Sequence, residues 1–195
     1  MGEILGFETR WLYIFLILLI VGERLFELRL ARDNTAWARR QGGIEAGEDH
    51  YPWMVALHTW FLLACPVEVW AWSRLLSPRL AASMLVALVG AILLRFWVMD
   101  TLGKRWTTRV ICIPGLPAIS SGPYRYLRHP NYAAVMVETL ALPMIHSAWV
   151  TAVVFGVANG FLLRHRIRVE EAALKRHTNW ASIFEDKDGV PWRQR

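Results

Sequence analysis

Five predominantly apolar stretches alternate with polar, basic segments along the chain. The apolar stretches cover residues 11–30, 53–72, 80–99, 132–145 and 148–163. A helix needs about 20 mainly apolar residues to cross a bilayer, so the first three stretches are predicted membrane spans. The last two are shorter, and a turn near Pro143, His146 and Ser147 separates them, which predicts a tight helical hairpin. The pattern therefore indicates an all-α integral membrane protein with about five transmembrane helices.

The distribution of Lys and Arg predicts how these helices are oriented. Basic residues concentrate in segments 31–51 and 100–131 and in the tail from residue 164 onward. The segments on the opposite side hold only Arg10, Arg74 and Arg79. Cytoplasmic loops carry the excess of Lys and Arg, so we expect the three basic segments at the cytoplasmic face. Five passes then place the N-terminus outside the cell membrane and the C-terminus in the cytoplasm.

Composition supports a membrane protein of one domain, residues 1–195. The chain is 55% hydrophobic and carries a formal net charge of +6. In a soluble protein this charge would suggest nucleic acid, but beside apolar spans it indicates anionic lipid headgroups instead. Cys65 and Cys112 are too few and too far apart to predict a disulfide framework or a zinc site. We therefore expect membrane lipids as partners, and neither nucleic acid nor a metal.

The polar run at residues 122–132 stands directly before the fourth apolar stretch. Pro130 suits the first turn of a helix and disfavours helix at His129, so the fourth helix is predicted to begin near Asn131. Arg128 and His129 would then lie just before a helix N-terminus, whose free N–H groups favour a carboxylate or phosphate. A structural role stays open, in which Arg128 contacts lipid headgroups and His129 caps the helix.

A second group of charges follows the fifth apolar stretch. Arg166 and Glu170 are four residues apart and share a helix face, so an ordinary surface ion pair is one interpretation. Arg166 and Glu171 are five apart, which is about 140° around a straight helix. These two would not pair, so each could address a different part of a ligand.

Ionisable residues also occur inside the predicted spans. They are Glu23, Arg24, Glu27, Glu68, Arg95 and Glu138. Charges at membrane depth are costly and are functional candidates by default. Glu138 follows Tyr132 by six residues, which places it about 9 Å into the fourth helix. Arg24 and Glu27 are three residues apart, and a structural ion pair between them is equally open.

Several motifs with known chemistry do not occur in the sequence. It contains no G-x-G-x-x-G, no P-loop and no H-E-x-x-H. No serine lies in a nucleophile elbow. A Rossmann nucleotide fold is therefore not indicated, and an ATPase or a hydrolase is disfavoured.

Three motifs in order resemble the isoprenylcysteine carboxyl methyltransferase family over residues 85–177. The motifs are Leu102-Gly103-x-x-Trp106, Gly122-Pro123-Tyr124-Arg125-Tyr126-x-Arg128-His129-Pro130-x-Tyr132 and Arg166-x-x-x-Glu170-Glu171-x-x-Leu174. The resemblance implies an integral membrane enzyme that uses S-adenosylmethionine without a Rossmann fold. It also implies a cytosolic cofactor pocket, formed by the Arg-His-Pro-x-Tyr loop and the Glu-Glu helix. The lipophilic acceptor would enter from the bilayer.

The resemblance assigns roles to individual residues. Cofactor-binding roles fall on Trp106, Tyr124, Arg128, His129, Pro130, Tyr132, Glu170 and Glu171. The basic residues suit the cofactor carboxylate, the glutamates suit its ammonium or a ribose hydroxyl, and the aromatic rings suit the adenine or the sulfonium. The catalytic candidates are Arg166, Glu171 and Glu138. Arg166 would orient an anionic oxygen on the acceptor, and Glu138, Glu171 or His129 could serve as a base for a phenol.

The front half points to one subgroup of that family. Arg24-x-x-Glu27-Leu28, Arg39-x-x-Gly42 and His50-Tyr51-Pro52 look like the bacterial enzymes that O-methylate alkylpyrones and alkylresorcinols. The chain departs from the family at Gly115-Leu116-Pro117-Ala118, where many members have Gly-His-x-Leu. That departure puts one expected cofactor contact in doubt.

The expected function is methyl transfer to a carboxylate, enol or phenol oxygen of a lipophilic or isoprenoid-type acceptor at the inner leaflet. The main alternative is an NADPH-dependent reductase of the sterol-reductase type, which shares His129-Pro130-Asn131-Tyr132 and a downstream glutamate such as Glu138. The spacing of Arg166 from Glu170 and Glu171 favours the methyltransferase. A phospholipid N-methyltransferase and a membrane scaffold are the further alternatives.

Overall fold

The protein consists mainly of five long helices, described by a computed structural model over residues 2–184, with side chains from residue 8 onward. The long helices are α1 (Gly2–Arg40), α2 (Tyr51–Ala71), α3 (Pro78–Leu102), α4 (Pro130–Met144) and α5 (Trp149–His177), and a short helix α6 (Trp180–Phe184) follows. Each predicted apolar stretch falls almost entirely within one long helix. The basic residues Lys187, Arg193 and Arg195 and the predicted cytoplasmic C-terminus lie outside the described residues.

Within residues 2–184, two helical stretches are long and apolar enough to cross a membrane. They are Glu48–Ala71 and Pro78–Arg105. The other long helices are interrupted or short: α1 carries charges from Glu23 onward, and α5 becomes basic at Arg164. The 15 residues of α4 extend only about 22 Å, less than the roughly 30 Å of a hydrocarbon core. Two of the five expected spans therefore meet the length and hydropathy that a span requires.

The core lies where α1, α2, α3 and α4 meet. Tyr13, Phe61, Leu88 and Leu142 are buried together there, and the Tyr13 hydroxyl donates to the Leu142 carbonyl at 3.1 Å. Outside the core, the helices expose large apolar side chains to their surroundings. Examples are Leu12, Phe15, Trp60, Leu63, Val86, Leu93 and Phe161. Such faces need a lipid environment to be stable, in accord with a membrane protein.

The turn between α4 and α5 has the predicted position. Pro143 lies in the last turn of α4, and Ser147 has a positive φ of 57°. The tight reversal brings α5 back along α4, where Gly156 faces Leu140. A Cβ at Gly156 would lie 2.9 Å from the Leu140 side chain. The predicted helical hairpin is therefore present, and the close approach of its helices depends on this glycine.

A small sheet holds the loops together at one end of the helices. Strand β1 (Ile44–Ala46) pairs antiparallel with β2 (Val110–Cys112), with Glu45 opposite Ile111. The Glu45 carboxylate accepts hydrogen bonds from Arg109 at 2.5 Å and from Arg39 at 2.7 Å. The sheet connects the α1–α2 loop with the long loop after α3. It thereby fixes the backbone near Thr108 beside α5.

Candidate active site

Most of the predicted site residues line two cavities that differ in size and character. The large cavity has a volume of about 670 Å³, and most of the residues that line it lie on α1 and α2. The small cavity has a volume of about 120 Å³ and lies among the loops, the C-terminal half of α5 and α6. Tyr132 and Arg166 line the large cavity, whereas His129 and Glu170 line the small one.

The small cavity contains much of the predicted cofactor site. Its wall includes Tyr124, Arg128, His129 and Glu170. Pro130 forms the first turn of α4 as expected, but His129 makes no capping hydrogen bond. Instead its Nε2 lies 2.9 Å from the Glu171 carboxylate. The cavity therefore combines basic and acidic side chains from two separate sequence motifs.

The position of Arg128 depends on the end of the described chain. Its guanidinium donates to the backbone carbonyl of Phe184 at 2.8 Å. Phe184 and Trp180 are buried and contribute to the wall of the small cavity. Helix α6 thus closes one side of this cavity.

Two groups at the small cavity are held neutral at physiological pH. Burial, together with the nearby Glu170 carboxylate, raises the pKa of the Tyr124 hydroxyl above its usual value. The same two causes raise the pKa of the Cys112 thiol to about 11. Because a thiol is a poor nucleophile until it ionises, Cys112 is not expected to act as one. Tyr124 stays a hydrogen-bond donor.

A chain of hydrogen bonds separates the two cavities. Arg166 Nε donates to the Tyr132 hydroxyl at 3.0 Å, and that hydroxyl donates to Glu170. Arg166 also donates to the carbonyl of Thr108 and is only 5% exposed. The interpretation of Arg166 and Glu170 as a surface ion pair is therefore wrong, because Tyr132 lies between them and the guanidinium is buried.

Trp106 lines the large cavity together with Tyr132, and Tyr124 packs against the buried cluster to which Trp106 belongs. Trp106 is only 3% exposed. Its indole N–H is buried and has no hydrogen-bond partner among the described residues. Its backbone carbonyl accepts from Asn34 at 2.8 Å, which connects the turn to α1. The cofactor-binding role of Trp106 stays a prediction.

Glu138 belongs to a buried ion network at the wall of the large cavity. Arg24 contacts both Glu138 carboxylate oxygens at 3.0 Å, and Arg95 also donates to both. Arg24 pairs with Glu27 at 2.5 Å, so the predicted pair between these two is present. Glu23 completes the network, at 3.4 Å from Arg24. Glu138 thus connects α4 to α1 and α3 through these two guanidiniums.

Helix α2 contributes residues that the motifs did not reveal. The sulfur of Met54 lies 3.0 Å from an Arg166 nitrogen. His58 lies one turn further along the helix, and both residues line the large cavity. In the sequence, His58 is visible only as a histidine within an otherwise apolar stretch. Its place at the cavity becomes apparent only when the fold brings α2 beside α5.

The family model of the isoprenylcysteine carboxyl methyltransferase (ICMT) family matches residues 83–176. The uncharacterized protein YpbQ of Bacillus subtilis (strain 168) is 35% identical over 167 residues, which cover 84% of this chain and 96% of that protein. An uncharacterized protein of Haemophilus influenzae (strain ATCC 51907 / DSM 11121 / KW20 / Rd) is 27% identical over 157 residues, 80% of this chain and 90% of that protein. No solved structure matches the chain.

The matched region contains all three motifs and the three residues between the cavities, Tyr132, Arg166 and Glu170. It extends from α3 to the last turn of α5 and so includes Trp106, His129, Arg166 and Glu171. Family members are membrane methyltransferases, and they use S-adenosylmethionine as the methyl donor generally. The chain belongs to the isoprenylcysteine carboxyl methyltransferase family.

Proposed function

We propose that this protein transfers a methyl group from S-adenosylmethionine to an oxygen atom of a lipophilic small molecule taken from the membrane. The acceptor class is that of the bacterial subgroup, an alkylpyrone or alkylresorcinol with an enol or phenol hydroxyl. The observation that carries the proposal is the meeting of a polar cavity and an apolar cavity at the hydrogen bonds of Tyr132. A methyl transferase for a lipid-like acceptor needs two such compartments, with the reacting atoms at their boundary.

The side chains around the small cavity fit the chemical groups of the cofactor. A guanidinium and an imidazole, from Arg128 and His129, suit a carboxylate. Glu170 suits an ammonium or a ribose hydroxyl, and the Tyr124 ring suits the adenine. The volume of about 120 Å³ is below the 300 Å³ or more that is usual for such ligands. Binding would therefore require α6 to move outward and release Arg128 from the Phe184 carbonyl.

When bound, S-adenosylmethionine supplies a methyl group on a positively charged sulfur. Tyr132 and Glu170 stand at the boundary, where the Glu170 carboxylate and the Tyr132 ring can face such a cation. Arg166, held by Thr108 and Tyr132, presents a fixed positive charge to an acceptor oxygen on the other side. Its rigid support matters because alignment of the reacting atoms provides much of the rate enhancement in a displacement. Glu171 holds the His129 ring in place.

The large cavity suits an acceptor with a long apolar chain. Exposed residues of α1 and α2 line it, among them Leu18, Leu25, Val55 and Leu63. These residues would face lipid, so an acceptor could enter from the side between the two helices. We further propose that all five long helices lie within the membrane, with the N-terminus outside and the basic loops and C-terminus in the cytoplasm. Fusion of a reporter to each terminus tests this orientation.

The first experiment is calorimetric titration of the detergent-purified protein with S-adenosylhomocysteine and, separately, with NADPH. We expect saturable binding of S-adenosylhomocysteine that His129→Ala and Glu171→Gln weaken by at least tenfold. The matched control is Glu48→Gln, an exposed carboxylate outside both cavities. Binding of NADPH alone would refute the methyltransferase and support a sterol-reductase type of enzyme.

The second experiment identifies the atom that is methylated. The protein is incubated with methyl-labelled S-adenosylmethionine and either a 5-alkylresorcinol or a vesicle of phosphatidylethanolamine. We expect label on the resorcinol oxygen and none on the phospholipid nitrogen. Label on the amine alone would assign the protein to the phospholipid N-methyltransferases.

A further inference from the structure

His58 is the imidazole that the structure places in the wall of the large cavity. It lies on α2, four residues beyond Met54, so the two are one helical turn or about 6 Å apart. Met54 contacts Arg166, and both Met54 and His58 line the cavity. A ligand whose oxygen lies near Arg166 would therefore have His58 close to it along the cavity wall.

The tautomer of His58 is set by its one hydrogen bond. Its Nδ1 lies 2.9 Å from the Met54 carbonyl, which can only accept, so Nδ1 carries the hydrogen. The lone pair of the neutral ring then lies on Nε2. Nε2 has no hydrogen-bond partner among residues 2–184, and it is not among the buried unpartnered atoms of the structure. A ring that is half-buried at a cavity wall therefore presents a free proton acceptor.

Charged groups on three other helices act electrostatically on His58. They are Arg24 on α1, Arg95 on α3 and Glu138 on α4. The two guanidiniums, like the burial of the ring, oppose a positive charge on it, whereas the carboxylate favours one. The neutral ring is the form that can accept a proton.

We infer that His58 is the general base of the methyl transfer. This inference rests on the proposed function and narrows its acceptor to a neutral hydroxyl, because a carboxylate needs no base. The acceptor O–H bond breaks and its proton passes to His58 Nε2. The oxygen electron pair forms the new bond to the methyl carbon, while the pair of the carbon–sulfur bond stays on sulfur. The positive charge of the sulfonium is thus replaced by that of the imidazolium.

The test compares two acceptors that differ in acidity. One is a 5-alkylresorcinol, which is still mainly neutral at about pH 8.3, and the other is a 4-alkyl-2-nitrophenol, which is mainly ionised at that pH. In His58→Gln we expect kcat/KM for the resorcinol to fall about 100-fold, the usual contribution of a general base. The nitrophenol, which needs no base, should keep close to its wild-type value. His165→Gln, an exposed histidine on α5, is the control and should change neither.

A measurement without the methyl donor gives an independent result. The nitrophenol absorbs differently when ionised, so its ionisation in the large cavity can be followed optically. In the wild type it should ionise at a lower pH than in His58→Gln, by about one unit, the size of an ordinary environmental shift. Arg166 stabilises the anion in both proteins and therefore cancels in the comparison.

The remaining outcomes show whether the inference alone is wrong or the proposed function is wrong as well. An equal loss of activity on both acceptors would overturn the inference and assign His58 a structural role, while leaving the methyltransferase intact. No loss on the resorcinol would also overturn it. If the wild type, shown to be folded, methylates neither acceptor, the proposed function falls and the inference falls with it.

Discussion

Two buried charged clusters among the described residues are alike in composition, but they differ in how many of their carboxylate oxygens have hydrogen-bond partners. In the first, Glu68 is 2% exposed and accepts hydrogen bonds from the backbone N–H groups of Val150 at 3.2 Å and Thr151 at 2.6 Å. Arg74 completes it at 2.9 Å. Glu68 thus caps the N-terminus of α5 from a neighbouring helix, where the helix dipole also favours a negative charge.

The second cluster is the ion network of Glu23, Arg24, Glu27, Arg95 and Glu138. It has more carboxylates than guanidiniums, and one oxygen each of Glu23 and Glu27 is buried without a hydrogen-bond partner. Arg24, Glu27, Arg95 and Glu138 also line the large cavity, whereas Glu68 does not. A cluster with every acceptor used stabilises the fold. A cluster with an unbalanced charge at a cavity wall is suited to act on what enters that cavity.

The largest effect is expected for Arg95→Met, which removes one of the two guanidiniums on Glu138. We expect the free energy of unfolding in detergent micelles to fall by about 3–5 kcal/mol, because two buried carboxylates, Glu138 and Glu27, each lose one charged partner. Thermal and denaturant unfolding measure it. The control is Arg29→Met at an exposed site on α1, which should change stability by less than about 0.5 kcal/mol. A loss below 1 kcal/mol for Arg95→Met would mean that water or lipid headgroups already solvate the network.

Glu68→Gln tests the satisfied cluster. We expect a loss of about 2 kcal/mol in the free energy of unfolding, since the bonds from Arg74 and the α5 N-terminus lose their charged acceptor. The folded fraction should keep the wild-type KM for a lipophilic acceptor, because Glu68 lies outside the large cavity. Measuring stability and KM on the same preparation separates the two effects. A raised KM without destabilisation would contradict the structural role.

The comparison also shows which parts of the structure the sequence could predict. The helices followed from runs of apolar residues such as 53–72 and 80–99, and the α4–α5 turn followed from Pro143 and Ser147. The pairing of Arg24 with Glu27 could be predicted because it depends on local spacing alone. Two of the five predicted spans meet the requirements of length and hydropathy, and the orientation in the membrane stays a prediction.

The functional distinction between the clusters depends on contacts between distant segments. Glu68 and Glu138 are both glutamates within apolar helices. Their neighbours in the sequence do not indicate that Glu68 contacts a helix N-terminus, or that Glu138 contacts two arginines. Similarly, Arg166 is spaced to pair with Glu170, but the arrival of Tyr132 from α4 prevents it. Trp106 and His58 line the large cavity for a similar reason. Their positions depend on how α2 and the loop after α3 pack against α5.

Glu27→Gln tests the second cluster without removing a guanidinium. Glu27 lies 2.5 Å from Arg24 and 3.5 Å from Arg95, so the substitution replaces two charged contacts with neutral ones. We expect a loss of about 1–2 kcal/mol in the free energy of unfolding, smaller than for Arg95→Met because both guanidiniums stay on Glu138. Thermal unfolding in detergent micelles measures it. A loss as large as that of Arg95→Met would mean that Glu27, rather than Glu138, is the main partner of the two guanidiniums.

The smallest effect is expected at a third carboxylate cluster, in the loops between the helices. Burial alone would raise the pKa of Glu45, but hydrogen bonds from Arg109 and Arg39 hold that pKa below its usual value of 4.5. Arg39 and Arg109 are partly exposed, so at pH 7 Glu45→Gln should cost no more than about 1 kcal/mol.

The direction of the pH dependence follows from the lowered pKa. The folded state binds the Glu45 proton more weakly than the unfolded state does, so the stabilisation is complete well above pH 4.5. It is lost as the pH falls below that value through the pKa of the folded state. Unfolding of wild type and Glu45→Gln at pH 7 and at about pH 3 should therefore give curves that converge in acid. Salt should narrow the gap at pH 7 as well, since it screens partly exposed charges and leaves the buried network around Glu138 almost unaffected. A gap that persisted in acid would show that Glu45 stabilises the sheet through its packing and not through its charge.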